Sequence, residues 1–313
     1  MQNRSVNAAM NAVNLNSCPP LFIAEISSNH LKAGDKAFDL DRALATIDQA
    51  ANIGANAVKF QLFKIDQLFA PEILAASPQH RARAAWELPL DAIPKLAQHS
   101  KAQGLQFACT PFDLEAAAYI APHVDFFKIA SYELLWHELL LACLSYQKPV
   151  ILSTGMATLD EIEAAIAAAK QHQASSPTLE LMHCVSSYPT PLEDCNLAAI
   201  STLRAQTGLN VGWSDHSKHP AALLAACLRY GASSVEFHLD LDGTGAEYAP
   251  GHCWLPAEIK PLIQLIHNAH KAAGDGIKRP ALSEQADCAW RADPDDGLRP
   301  LKAKRAEFIH KSA

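Results

Sequence analysis

Two histidines in the second half of the chain have the placement of metal ligands. His216 ends the apolar run NVGWSDH, and His238 lies near the end of the run SSVEFHL. If these runs are neighbouring strands of one parallel sheet, the two imidazoles come close enough to bind one divalent cation. A single histidine among the 14 of this chain would more often be a hydrogen-bonded structural residue, so the prediction rests on the pair. His183 is interpreted as structural, and the role of His30 stays open.

Two lysines lie on similar apolar runs and predict an anion site. Lys59 falls within AVKFQLF and Lys128 within FFKIAS, where strands with a purely structural role would carry Val, Ile or Leu. Two ammonium groups that face one site can hold a phosphate and a carboxylate. Two alternatives stay open, an ion pair between each lysine and a nearby glutamate, and a Schiff-base lysine. Hydroxyl donors to the same anion are expected from Thr110, Ser131, Ser153, Thr154 and Ser214.

Glutamates accompany both groups of residues. Glu25 lies in the first apolar run, LFIAEIS, and Glu236 precedes His238 by two positions. Because alternate side chains of a strand point to the same face, Glu236 and His238 are expected to face the same site. A carboxylate beside a cation is suited to take a proton from water or from a substrate hydroxyl. The alternative role of either glutamate is to neutralise a lysine.

The elements that must position these residues alternate along the chain. Short apolar runs are followed by longer Ala- and Leu-rich stretches with helical spacing, which implies a parallel sheet. Eight repeats within residues 19–276 predict an α/β fold, the (β/α)8 TIM barrel, whose active site lies at the carboxyl ends of the strands. A doubly wound open sheet is the alternative, but no GxGxxG follows the first run. The predicted strands are 21–27, 57–63, 106–110, 126–131, 150–154, 179–185, 210–216 and 233–239.

Helices are predicted between these strands. Residues 64–90 are longer than an ordinary connection and are interpreted as an insertion over the barrel mouth. Glycines at the ends of several helical stretches are typical of C-terminal caps. The predicted helices include 36–53, 159–172, 196–205, 220–230 and 256–273.

Composition and charge narrow the class of function. The 313 residues include 26 basic and 33 acidic ones, a formal net charge of −7 that does not favour nucleic acid or an anionic membrane as a partner. No apolar run reaches the roughly 20 residues that cross a bilayer. The eight cysteines form no CxxC pair, which is typical of reduced thiols in a cytoplasmic protein. Residues 1–18 lack the apolar core of a signal peptide and are predicted to be a disordered lead-in, and residues 277–313 a C-terminal tail.

Eight segments, taken in order, resemble the N-acetylneuraminate (sialic acid) synthase family. They cover most of the predicted barrel, and eight motifs in the same order are far more specific than any one of them. The matching segments are IAEISSNH, GANAVKFQLFK, ACTPFD, FKIASYE, KPVILSTGMATLDEIEAAI, LMHCVSSYPTPLEDCNLAAI, VGWSDHS and VEFHL.

The resemblance implies a metal-dependent transferase. In this family phosphoenolpyruvate condenses with N-acetylmannosamine, or a related amino-sugar aldehyde, to a sialic acid-type nonulosonic acid and phosphate. The implied cofactor is a divalent cation, Mn²⁺ first with Mg²⁺ and Co²⁺ as alternatives, at His216 and His238. The implied phosphoenolpyruvate-side positions are Lys59, Thr110, Lys128, Ser131, Ser153 and Ser214, the acceptor-side positions are Gln61, Glu133 and Tyr188, and the acidic residues around the cation are Glu25 and Glu236.

The chain departs from the family pattern at three places. Ser186 stands where family members carry a phosphoenolpyruvate-binding Asn, so that contact is expected to differ. After the eighth run the chain reads LDLDGTGAEYAPGHCWL instead of a turn with an acceptor-binding Asp, so either Glu247 or His252 substitutes for it or the acceptor differs. The family's C-terminal antifreeze-like (SAF) domain, which reaches the partner's barrel in dimers, is expected to be absent because residues 277–313 are too short for it. A homodimer stays an open expectation.

Other functions remain open on the sequence alone. One is a different phosphoenolpyruvate–aldose condensation that gives another 2-keto sugar acid. A second is a Schiff-base aldolase that uses Lys128 or Lys59. A third is a catalytically silent sugar-binding barrel, against which the joint presence of both lysines, both histidines and Glu25 argues.

Overall fold

Eight parallel strands close into a barrel in this computed structural model, which describes residues 19–172 and 178–309. Each strand pairs with the next in chain order, and the eighth pairs with the first. The predicted (β/α)8 barrel is confirmed, and the open sheet is excluded. The predicted disordered lead-in at 1–18 lies outside the described residues. The strands are β1 Leu21–Glu25, β2 Ala57–Leu62, β3 Gln106–Pro111, β4 Phe126–Ile129, β5 Val150–Ser153, β6 Leu179–Cys184, β7 Val211–Asp215 and β8 Ser234–His238.

Helices cover the outside of the barrel. The predicted helices at 159–172 and 256–273 have the bounds that the sequence gives them. None of the helices within the described ranges combines the length and the hydropathy that a bilayer span requires. The helices of the barrel are α1 Leu40–Ile53, α2 Ile65–Leu68, α3 Pro71–Ala76, α4 Pro78–Ala82, α5 Ala92–Ala102, α6 Leu114–Ile120, α7 His137–Ser145, α8 Leu159–His172, α9 Ala198–Thr207, α10 Pro220–Leu228 and α11 Pro256–Ala273.

Several element ends differ from the prediction, each for a local reason. The first strand stops at Glu25 because the chain turns into a 3-10 helix, Ser27–His30, with a positive φ of 46° at Ser27. The first helix begins at Leu40, four residues later than predicted, because the Asp39 side chain accepts the backbone N–H of Arg42 and caps the helix there. Seven of the predicted strands are one or two residues too long, because the composition does not change where the chain leaves the sheet, and the third is one residue too short.

The interior of the barrel is built in two layers. The inner apolar layer contains Ile23, Ala57 and Ala108 on the first three strands, with Phe126, Ile151 and Met182 on the next three. Because side chains alternate along a strand, the next inward position lies two residues further on, towards the carboxyl end. On β6 this position is Cys184, and on the other seven strands it is polar and buried. The seven polar residues are Glu25, Lys59, Thr110, Lys128, Ser153, Ser214 and Glu236.

The segment between β2 and α5 forms three short helices, α2 to α4, followed by the 3-10 helix Arg83–Trp86. It therefore stands at the carboxyl end of the barrel, as expected of an insertion at the mouth. Its ends are joined because Lys64 Nζ donates to Glu87 Oε2 at 2.8 Å, and Glu87 Oε1 accepts the backbone N–H of Ile65 at 2.8 Å.

Residues Ala273–Ala313 form a second compact unit, so the unit boundary falls four residues before the predicted tail. Its described part contains α12 Gln285–Cys288 and α13 Lys302–Ile309. Within it, Asp293 Oδ2 accepts the backbone N–H of Lys302 at 2.7 Å, and Arg305 pairs with Asp296 at 2.5 Å. These contacts stabilise the described part of this unit.

A buried ion pair joins α1 to the loop after β8. Arg42 Nη2 lies 2.5 Å from Asp240 Oδ1, and both side chains are nearly inaccessible to water. The same guanidinium donates through Nε to the carbonyl oxygen of Asn29 at 2.8 Å. Arg42 therefore fixes both the turn after β1 and the loop after β8, which border the barrel opening.

We expect Arg42→Met to destabilise the barrel by about 3–5 kcal/mol, because the buried carboxylate of Asp240 would lose the positive charge that neutralises it. Urea denaturation followed by far-UV circular dichroism measures this loss. The matched control is Lys95→Met, which removes an exposed pair with Asp91 and should cost about 1 kcal/mol or less. Equal losses in the two variants would contradict the structural role of Arg42.

Candidate active site

Four charged side chains meet at the carboxyl end of the barrel. Glu25, Lys59, Lys128 and Glu236 are each at most 3% exposed. Lys59 Nζ forms a close ion pair with Glu25 Oε2 and lies 3.8 Å from Glu236 Oε1. Lys128 Nζ lies 3.3 Å from the Glu236 carboxylate. The ion-pair alternative is thus realised for both lysines, and because they share Glu236, both face the same opening.

The two carboxylates of this group differ in proton affinity. Burial on its own would raise the pKa of Glu236, but Lys128 and Lys59, helped by the neighbouring histidines, hold it down to about 2. Burial raises the pKa of Glu25 against the opposing effect of Lys59, and the charge of Glu236 raises it further. Two carboxyl groups whose pKa values are pushed apart are suited to different roles. Glu236 is the permanent anion, and Glu25 is the group able to carry a proton.

The charge balance of the group favours an anionic ligand. The four charges cancel when both glutamates are ionised, and one positive charge is in excess when Glu25 carries a proton. Burial on its own would lower the pKa of Lys59, but Glu236 and Glu25 raise it above its ordinary value. A Schiff-base lysine must be neutral to attack a carbonyl, so this environment disfavours that use of Lys59.

Hydroxyl groups surround the lysines. Thr110 Oγ1 accepts a hydrogen bond from Lys59 Nζ at 3.1 Å, and Ser214 Oγ donates to Glu236 Oε1 at 3.3 Å. Ser153 and Thr154 are buried at the end of β5. These four residues stand where the sequence placed anion donors.

A second pair of hydroxyls borders the loop after β5. Ser131 Oγ and Ser186 Oγ lie 2.8 Å apart. A Cβ atom at Gly155 would stand 2.5 Å from Ser131 Cβ and from Ser186 Oγ, so only glycine lets the three segments approach. Ser186, the residue that departs from the family's Asn, is therefore in contact with a predicted phosphoenolpyruvate-side residue.

The three predicted acceptor-side residues line the outer part of the same opening. Gln61 Nε2 donates to Glu25 Oε1 at 3.1 Å. Glu133 is half-buried, and its Oε2 has no hydrogen-bond partner among the described residues. Tyr188 is 39% exposed, and its ring centre lies 4.2 Å from that of His216. The structure thus brings all three within reach of the charged group or the histidines.

His216 and His238 are held as neighbours, with ring centres 5.5 Å apart. Two imidazole ligands of one ion with metal–nitrogen bonds of about 2.1 Å have ring centres about 5 Å apart, so the separation fits a shared cation. His216 Nδ1 lies 2.6 Å from the carbonyl oxygen of Val185 and must donate to it. Burial and His238 lower the pKa of His216 to about 3, so this ring is neutral and offers the lone pair of Nε2.

Glu247 orients the second histidine. Its Oε2 lies 3.2 Å from His238 Nδ1, and its Oε1 accepts from Ser27 Oγ and Ser28 Oγ at 2.7 Å each. A carboxylate on one ring nitrogen directs the other nitrogen to a metal ion, as outer-sphere carboxylates do. Nitrogen and oxygen donors of this kind suit Mn²⁺, Co²⁺ and similar divalent cations. The residues present therefore fit the predicted cofactor.

Two residues beside His238 were not predicted as neighbours of the histidine pair. Glu247 and His252 were expected only as substitutes for an acceptor-binding Asp. Ligand atoms of His238, Glu247, His252 and Cys253 lie within 4.8 Å of one another. The segment EYAPGHC has no periodicity, so the sequence offered no signal beyond the presence of these residue types after the last strand.

The two remaining candidate histidines lie in different surroundings. His183 Nε2 is 3.0 Å from the carbonyl oxygen of Cys195, and its ring packs against Trp213. These contacts accord with the structural interpretation. His30 is buried against Phe38, and burial lowers its pKa to about 4. It borders the turn after β1 rather than the histidine pair.

Comparison with known proteins gives consistent matches. The model of the NeuB family matches residues 46–278. The N,N'-diacetyllegionaminic acid synthase of Campylobacter jejuni is 36% identical over 278 residues, 85% of this chain and 80% of that protein. The protein of the same name from Legionella pneumophila is 33% identical over 304 residues, 90% and 80% of the two chains. The crystal structure of the N-acetylneuraminic acid (sialic acid) synthetase of Leptospira borgpetersenii in complex with citrate has a TM-score of 0.73 and 32% identity, covering 87% and 90%.

Glu133 gives a test of the site's electrostatics that needs no ligand. Burial raises its pKa to about 7, above the ordinary 4.5. The folded state then binds a proton that the unfolded chain has released, so stability falls as the pH rises from about 4.5 through 7. We expect Glu133→Gln, which mimics the neutral form, to raise the Tm by about 2–4 °C at pH 8 relative to the wild type, and by much less at pH 5.

Differential scanning fluorimetry across this pH range measures the Tm difference. Glu163→Gln, at an exposed position on α8, is the control and should show no such trend. A Glu133→Gln effect that is the same at pH 5 and pH 8 would mean that Glu133 ionises as freely as in the unfolded chain.

Proposed function

Since the chain belongs to the NeuB family, we propose that it joins phosphoenolpyruvate to the aldehyde carbon of an N-acetylated amino sugar. The predictions of the family and of an enzyme of the synthase type are confirmed. The proposed products are a nonulosonic acid, which is a 2-keto sugar acid, and phosphate. N-acetylmannosamine and its diacetamido, 6-deoxy relatives are the proposed acceptors, because matched proteins are named for sialic acid and for diacetyllegionaminic acid.

The buried group of two lysines and two glutamates is the observation that carries the proposal. Two ammonium groups close together in a buried opening favour an anionic ligand, and most strongly when Glu25 carries a proton. Phosphoenolpyruvate carries both a phosphate and a carboxylate, so its charges match Lys59 and Lys128. Both ammonium groups have further N–H donors available beyond their contacts with glutamates. Hydrogen bonds from Thr110, Ser153 and Ser214 would complete the hold on this anion.

Positioning is the first contribution of these residues to the reaction. Two lysines and several hydroxyls on different strands fix the enol ester on a rigid barrel, so that its C3 can be placed over the aldehyde carbon. Such placement replaces much of the entropic cost of bringing two molecules together. Ser131 and Ser186, held against Gly155, would border the phosphoenolpyruvate on the side of β5.

Proton transfer is the second contribution. When C3 attacks the aldehyde carbon, C2 becomes electron-poor and adds water, whose two protons end on the aldehyde oxygen and on the departing phosphate. Glu25, in its ionised form, accepts the proton of the adding water, for which a raised pKa is suited. The tetrahedral carbon then loses phosphate and becomes the 2-keto group. Glu236 stays ionised and keeps both lysines aimed at the opening.

A divalent cation is the proposed cofactor, Mn²⁺ first with Mg²⁺ and Co²⁺ as alternatives, and His216 and His238 would hold it. When bound, such an ion supplies Lewis acidity towards a carbonyl oxygen of the acceptor. Glu247 would keep His238 in the orientation that this requires.

Acceptor binding is proposed for Gln61, Glu133 and Tyr188. Their amide, carboxyl and phenol groups offer donors and acceptors for sugar hydroxyl and acetamido groups, and the exposed ring of Tyr188 offers an apolar face. A homodimer and a cytoplasmic location stay predictions.

The test of the proposal is a phosphate-release assay with phosphoenolpyruvate, Mn²⁺ and a panel of N-acetylated hexosamines that includes 6-deoxy and diacetamido forms. We expect release only when phosphoenolpyruvate, a cation and one of these sugars are all present. Release with non-acetylated aldoses alone would favour a different condensation. Binding of sugar without release would favour a silent sugar-binding barrel, and borohydride trapping with pyruvate would reveal a Schiff base.

Lys128→Met provides the matching mutational test. We expect it to raise the KM for phosphoenolpyruvate at least about thirtyfold, a loss of about 2 kcal/mol or more, because a buried charge contact to the anion is removed. Steady-state phosphate release measures the change. Lys95→Met, on the surface of α5, is the control and should keep the wild-type KM. An unchanged KM in Lys128→Met would place the anion elsewhere.

A further inference from the structure

We propose that His252 is a third side-chain ligand of the cation, which completes a three-imidazole site with His216 and His238. The inference rests on the proposed function only in assuming that a divalent cation binds at the barrel opening. It adds a residue that the sequence connected with the acceptor sugar.

The loop that carries His252 is fixed beside β8. The backbone N–H of Trp254 donates to the carbonyl oxygen of His238 at 2.8 Å, and that of Asp240 donates to the carbonyl oxygen of Trp254 at 2.9 Å. The indole Nε1 of Trp254 also donates to Asp215 Oδ2, on β7, at 2.9 Å. Because Trp254 is pinned between β7 and β8, His252, two residues earlier, is held over the ends of the strands that carry His216 and His238.

The ring of His252 lies beside that of His238, and ligand atoms of the two residues are within 4.8 Å of one another. Its centre is 4.7 Å from that of His238, close to the separation of about 5 Å expected for two imidazoles on one ion. All three histidines surround the ring of Tyr188, whose centre is 4.2 Å from His216, 5.8 Å from His238 and 5.2 Å from His252.

His252 has an unused ring nitrogen. Its side chain is 4% exposed, and its Nδ1 has no hydrogen-bond partner in the part of the chain that the structure describes. A buried nitrogen without a partner is unfavourable, and a cation would satisfy it.

The other nearby groups are already engaged. Glu247 uses one oxygen for two serine hydroxyls and the other for His238. Cys253 Sγ donates to the carbonyl oxygen of Glu247 at 3.2 Å and accepts from Asn29 Nδ2 at 3.4 Å. Three imidazoles with positions left open for water or substrate are typical of catalytic rather than structural metal sites.

Mn²⁺ binding to the substrate-free protein tests this inference without any need for turnover. We expect His252→Ala to weaken Mn²⁺ binding in isothermal titration at least about tenfold, since even outer-sphere partners of metal ligands contribute 10- to 100-fold. Pulsed electron paramagnetic resonance should detect three coupled imidazole nitrogens in the wild type and two in the variant. His172→Ala, at an exposed position at the end of α8, is the control.

Folding and function can be separated from metal binding. Circular dichroism with a chelator checks that His252→Ala is folded, and His252→Asn provides a second variant. An unchanged Mn²⁺ affinity in a folded variant, or two coupled nitrogens in the wild type, would overturn the inference. If His252→Ala instead raises only the KM of the sugar, His252 contacts the acceptor and the proposed function stands. If the wild type binds Mn²⁺ through three imidazoles but releases no phosphate with any sugar, the inference stands and the proposed function falls.

Discussion

The burial of four charges at one end of a closed barrel is the constraint on which the rest of the structure depends. Charged groups out of water are tolerated only when each has a partner of opposite sign at good distance. Lys59 and Lys128 meet this condition by sharing Glu236, and Lys59 also meets it through Glu25. The resulting group is compensated but not symmetrical, because one carboxyl has a raised pKa and the other a lowered one. This difference between the pKa values of the two carboxyl groups suits the opening to anion binding and to proton transfer.

Two kinds of structure hold this chemistry in place. Strand register supplies the charged layer, since Glu25, Lys59 and Lys128 each stand two positions beyond an apolar residue of the inner layer. Loops supply the groups around the histidines. Glu247, His252 and Trp254 all belong to the loop that follows β8. The buried ion pair between Arg42 and Asp240 in turn fixes this loop to α1. An outer helix therefore helps to position the site, although Arg42 itself binds no ligand.

The periodicity of the sequence predicted the barrel and its inward-facing residues, but the sequence did not predict the conformation of the loops. The barrel, and the convergence of Lys59 with Lys128, follow from eight alternating runs whose inward positions repeat every two residues. Strand ends were misjudged because composition does not change where the chain leaves the sheet, as at Ser27. The position of His252 could not be predicted, because it depends on the pairing of Trp254 with the end of β8. This pairing is between backbone groups, so no pattern of side chains in the sequence indicates it.

The most direct measurement is a diffraction experiment on crystals soaked with phosphoenolpyruvate and Mn²⁺, with anomalous data at the manganese edge. The account predicts enol ester density between the Nζ atoms of Lys59 and Lys128, with an anomalous peak beside His216 and His238. Density for the enol ester elsewhere, with both lysines still paired only to their glutamates, or a manganese peak away from the histidines, would contradict it.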